Sequence, residues 1–169
     1  MSIYLKAKHW QLFILFMGTM IGSQAVLVSS GMGFSAVILP TLTMGVLFFG
    51  WLWAIAEACY KQLPEELASS PKPMQVGLIY AILYLALGGY FFFGPDEKMP
   101  GYGIVLHLLG MVAIFYSFGF TAKQLTKLDQ NKKVTFFNYS GPLFLFWFFP
   151  IGVWFIQPKV NSLLGGKNA

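Results

Sequence analysis

The chain has 169 residues, of which 57% are hydrophobic, 18% aromatic and only 10% charged, with a mean hydropathy of +0.66; ordinary soluble domains carry roughly 25% charged residues. That balance excludes a conventional water-soluble domain and points to one all-α integral membrane domain over residues 1–169. All eleven cationic side chains are lysines, scattered between apolar stretches without a single arginine fork, which argues against a nucleic-acid partner.

Apolar runs long enough to cross ~30 Å of hydrocarbon predict a polytopic transmembrane helical bundle of about five spans, near 10–29, 38–60, 75–94, 102–121 and 137–157. Barrel strands are excluded because they would alternate apolar and polar residues over about 10 positions.

The first run follows Lys6 and Lys8 and reaches Ser23-Gln24-Ala25, a layout it shares with a cleaved secretory signal; apolar character resumes at once with AVLVSS, which favours a retained span. GMGFS (31–35) reads as a turn, and 24–36 is open to a partly re-entrant path. The second run ends at LPEE, where Pro64 stops the helix. Near its end Glu57 precedes Lys61 by one helical turn, the favoured order for a carboxylate–ammonium pair, so Glu57 is read first as a snorkelling surface acid and second as a buried proton or cation site. Cys59, the one cysteine, permits no intrachain disulfide and suits simple packing.

After SSPKP (69–73), the third run presents Gly77, Tyr80, Tyr84 and Gly88 at helical spacing. GPDEKMPG (94–101) is a cluster of turn formers. In the fourth run Gly103, His107, Gly110, Ile114, Ser117 and Thr121 fall within about 40° of one direction on a 3.6-residue helix. Such a stripe lets membrane helices approach closely, so Gly103, Gly110 and Ser117 are expected to form a packing face and His107 to point into the bundle, within reach of Tyr84 or Tyr80. Depth along the spans separates Glu57 from His107 by roughly 15 Å, which rules out direct cooperation.

The fifth run, FFNYSGPLFLFWFFPIGVWFIQP (136–158), is expected to start at Ser140 or Gly141 with Pro142 in its first turn. Pro150 then falls near its centre, where it cannot donate to the carbonyl of Phe146 and kinks the helix. KQL at 61–63 and again at 123–125 marks a faint parallel repeat of spans 2–3 on spans 4–5. On this threading eight lysines lie on one side and three on the other, which by the positive-inside rule sets the N-terminus in the cytoplasm and the C-terminus outside.

The segments KHWQLFILF (8–16), FFNYSGPLFLFWF (136–148) and PIGVWFIQPKVN (150–161) resemble a group of small uncharacterised bacterial multi-pass inner-membrane proteins. The resemblance covers about a third of the chain, mostly its ends. It implies a bacterial inner (cytoplasmic) membrane location and carries over no catalytic residue and no activity.

No HExxH, CxxC, GxSxG or GxxxxGK[ST] motif occurs. A zinc site of ordinary composition would need His9, His107 and Cys59 together, at depths that scatter them, so neither metal nor cofactor is expected. The sequence therefore reads as a non-enzymatic accessory or scaffolding subunit whose partners are the lipid bilayer and other membrane proteins or further copies of itself. The alternative is a small oligomeric transporter or channel component with a mid-membrane polar site at His107, Tyr84 and the broken backbone around Phe146 and Pro150.

Overall fold

The computed structural model describes residues 2–30, 35–93 and 101–165. They form seven α-helices, α1 (Ser2–Lys6), α2 (His9–Ser30), α3 (Ser35–Gln62), α4 (Lys72–Phe93), α5 (Gly101–Gln130), α6 (Phe136–Trp147) and α7 (Phe149–Val160), closed by a π turn at Asn161–Gly165. Among the described residues there is no strand, so the all-α reading holds. Two helices there are long and apolar enough to cross a membrane by length and composition, Leu39–Gln62 within α3 and the whole of α5. The predicted turn at 31–34 and the loop at 94–100 lie outside the described residues.

Helices α2 to α5 run alternately up and down. Their centre is aromatic: Phe16 of α2 meets Phe48 and Trp51 of α3 at ring separations of 5.9 and 5.8 Å, and Phe48 meets Phe118 of α5 at 5.8 Å. Phe16, Trp51, Leu52, Ile55, Met74, Leu78 and Leu125 have essentially no exposed surface. Local chemistry sets the ends. Pro64 follows the last turn of α3, where Leu63 N–H still reaches the Cys59 carbonyl at 2.9 Å. Asn131, with φ +48°, closes α5 in the left-handed conformation that asparagine tolerates.

The fifth apolar run departs from expectation. It starts earlier than Ser140: Thr135 N–H donates to Asn138 Oδ1 at 2.8 Å and Asn138 N–H to the Thr135 carbonyl at 3.1 Å, so α6 begins at Phe136 and Pro142 lies inside it. It also does not continue through Pro150. The backbone leaves the helix at Phe148 (φ −89°, ψ 55°), and Pro150 falls in the first turn of α7, where its missing N–H costs nothing. Helix α6 climbs along α5 until Trp147 packs edge-on against Phe115, ring centroids 5.0 Å apart. Helix α7 then retraces that path. Phe149 lies against Phe16 and Phe48, Trp154 against Phe13 and His9, and Lys159 Nζ is 2.8 Å from Asp129 Oδ2, a point roughly 20 Å down α5 from Phe115 at 1.5 Å per residue.

The run 137–157 is thus a helical hairpin, and the single kinked span expected there is corrected. Gly152 makes the reversal possible, since a Cβ at that position would overlap the Leu145 carbonyl; α7 can lie this tightly on the last turn of α6 only without a side chain. A second correction follows: the foot of α7 stands at the same end of the bundle as α1, with Asn161 Nδ2 donating to the Ala7 carbonyl at 3.1 Å. All charged side chains among the described residues, nine of them lysines, gather at this end.

Candidate functional site

The hairpin is held by a buried amide. Gln157 of α7 has no exposed surface. Its Oε1 accepts from Trp51 Nε1 at 2.9 Å, and the two hydrogens of Nε2 are shared among the carbonyls of Tyr4 and Ala7 at 2.7 and 2.9 Å and Asn161 Oδ1 at 2.9 Å. A helix C-terminus leaves carbonyls without intrahelical donors, and here α7 supplies them for α1. Sequence reasoning passed over this hub, although an uncharged amide ending an aromatic run, with a tryptophan N–H to satisfy elsewhere, was the available signal.

At the hairpin tip a cavity of about 380 Å³ opens between α2, α3, α5 and the turn. Phe48, Phe49, Phe118, Trp147, Phe149, Met20 and Met44 give it an apolar wall, and Ser23, Gln24 and Thr41 supply its polar margin. Such a lining, mostly aromatic with a few polar groups, is that of a ligand pocket. It has no charged member and no pair of groups suited to nucleophilic or acid–base work.

The residues singled out from sequence fall in three separate places. Tyr84 Oη and His107 Nδ1 are 2.9 Å apart between α4 and α5, and Tyr80 Oη donates to the Leu106 carbonyl at 2.9 Å one turn away. The Tyr84 ring covers Gly110, where a Cβ would come within 3.2 Å of it. Gly103, Gly110 and Ser117 are all buried, and Ser117 Oγ donates back to the Ala113 carbonyl at 2.7 Å. Phe146 lies at the second place, fully buried against Trp51 with ring centroids 5.3 Å apart, beside the turn that holds Pro150. The cavity at the tip reaches Leu85 and Ile114 but is not lined by Tyr84 or His107, so it does not join the polar pair to the broken backbone.

Glu57 is the third place. Its Oε1 is 3.1 Å from Lys61 Nζ, and its Oε2 accepts from Gln75 Nε2 at 3.0 Å. Both oxygens are engaged at the charged end. Cys59 is buried and free. No group of three His, Cys, Asp or Glu side chains that could hold a metal ion occurs among the described residues.

The same end carries one more built feature. Lys127, 8% exposed, donates to the Leu67 carbonyl at 2.7 Å and to Ser69 Oγ at 3.1 Å, while Gln124 Nε2 donates to the Ser69 carbonyl at 2.7 Å. Two adjacent turns of α5 therefore clamp the 63–71 loop.

No protein-family model, curated protein or solved structure matches the chain.

Proposed function

We propose that the chain is an integral protein of a bacterial inner membrane, with α2 to α5 crossing the bilayer and α6–α7 dipping into it as a re-entrant hairpin, and that it serves as a non-enzymatic accessory or scaffolding subunit. The observation that carries the topology is the one-sided charge. Every lysine among the described residues lies at the end shared by α1, the 63–71 loop, the α5–α6 connection and the foot of α7, and that end faces the cytoplasm by the positive-inside rule. The hairpin sharpens the asymmetry, because moving Lys159 to this side removes a cation that a fifth crossing would have left outside. The outward surfaces agree: Ile14, Ile21, Leu39, Val46, Val76, Leu83, Val105, Leu108, Val112, Phe144 and Phe155 are exposed apolar side chains on every helix from α2 to α7, far more than water tolerates in one place.

The accessory role is supported by how the interior polar groups are used. Trp51, Gln157, Tyr84, His107, Ser117 and Thr121 each bond to another helix or to their own backbone. A transporter or channel component remains the second reading, because a helix broken at mid-depth beside a cavity is a feature of transport sites.

Topology is tested in a Cys59→Ala background carrying Ser162→Cys. A membrane-impermeant maleimide should label this cysteine only after the cytoplasmic face is opened; labelling of intact cells from outside would restore a fifth crossing. The purified chain in liposomes should carry no potassium or proton flux above that of empty vesicles. Flux abolished by Phe149→Trp, which narrows the cavity, would instead establish the transport reading.

A further inference from the structure

A second cavity of about 380 Å³ opens at the charged end, between α5, the start of α6 and the 63–71 loop. Its wall comprises Ser69, Tyr116, Phe120, Lys123, Gln124 and Tyr139. Three features set it apart from an incidental groove. Its rim is fixed, because Lys127 and Gln124 hold the loop from behind. Lys123 is exposed and makes no ion pair or hydrogen bond among the described residues, while Glu65 and Glu66 of the same loop are not part of the lining. Gln124, only 1% exposed, leaves its Oε1 buried without a partner. That amide cannot simply be turned over, since Nε2 must stay on the Ser69 carbonyl. A buried acceptor left bare is costly, and a donor brought to it relieves that cost.

We propose that this cavity binds the headgroup of an anionic glycerophospholipid, the phosphodiester on Lys123 and a headgroup hydroxyl donating to Gln124 Oε1 as the walls close around it. The assignment rests on the membrane reading above, which puts the cavity at headgroup depth on the cytoplasmic side. Charge selects the headgroup class. Lys123 stands one helical turn from Lys127, so a zwitterionic headgroup would bring its own ammonium into a cationic field. A glycerol headgroup offers an anion to the lysine and a neutral donor to the amide. The rings of Tyr116 and Phe120 lie on the side of the cavity away from the charged end and supply the apolar edge along which the acyl-bearing glycerol would leave toward the bilayer interior.

The test is native mass spectrometry of the full chain in detergent, titrated with dioleoylphosphatidylglycerol, dioleoylphosphatidylcholine or soluble sn-glycerol 3-phosphate. Wild type should hold one phosphatidylglycerol in preference to phosphatidylcholine. Lys123→Ala and Gln124→Leu should each weaken it by about fivefold, the loss expected of one partly screened contact, while Lys133→Ala should leave it unchanged. Equal retention of the two lipids, or equal effects of Lys123→Ala and Lys133→Ala, overturns the site. Binding of glycerol phosphate with no preference for the lipid overturns the lipid assignment in favour of a soluble phosphate ligand. If Gln124→Leu does not fold, Lys123→Gln against Lys133→Gln decides alone. The Ser162→Cys labelling reports separately on topology, so failure of the membrane reading is not mistaken for failure of the site.

Discussion

At the scale of single residues the fold depends on groups whose removal leaves something buried and bare. Gln157→Leu would strip the donor from the Tyr4 and Ala7 carbonyls and the acceptor from Trp51 Nε1 at once. It should cost about 2–4 kcal/mol and show as faster amide exchange over the first eight residues of the chain. Trp51→Phe, which removes only one donor from a network that keeps its other bonds, should cost about 1 kcal/mol in the same melting assay. Gly152→Ala is expected to be more damaging than either, since the new methyl meets a backbone oxygen that cannot rotate away; a loss of at least about 3 kcal/mol, or failure to accumulate in the membrane, is the outcome to look for.

At the scale of elements, helices α2 to α5 were legible in the sequence, and α1, α6 and α7 were not. Residues 10–29, 38–60, 75–94 and 102–121 are long apolar runs bounded by proline, glycine or charge, and each corresponds to one helix. The pairing of Tyr84 with His107 was also within reach, because the small residues one and two turns from His107 identify the face that α5 turns to a neighbour. The hairpin was hidden. Phe144 to Phe155 is apolar on all sides, so no amphipathic phase marks where direction reverses, and Pro150 and Gly152 suit a kink as well as a turn. What decides is tertiary: the seat of Gly152 on the Leu145 carbonyl and the grip of Gln157 on α1. The cap at Thr135 and Asn138 was missed for a simpler reason, since Pro142 offered a more conspicuous start. Exchanging the turn for a straight connection should be possible by Pro150→Ala with Gly152→Leu, and the labelling pattern of Ser162→Cys would report whether α7 then runs outward.

At the scale of the molecule, the charged end and the apolar flanks define one axis, and the two cavities sit at different depths along it. The tip cavity is lined by rings and thioethers, the other by hydroxyls, an amide and an ammonium. They should respond to different ligands, and a substitution in one, such as Phe149→Ala, should leave phosphatidylglycerol binding at the other within about twofold. The reversal at Phe148 has a further consequence. Four helices continue into the outer half of the bundle, while the hairpin and α1 thicken only the inner half. If the proposed topology holds, such a body is a wedge, taking more area from the cytoplasmic leaflet than from the outer one. Lipid tails or the flank of a second protein must then fill the sector beyond the tip. In the proposed topology a body of that shape would meet the two leaflets unequally, so a change in lateral pressure would act on its inner half more than on its outer half.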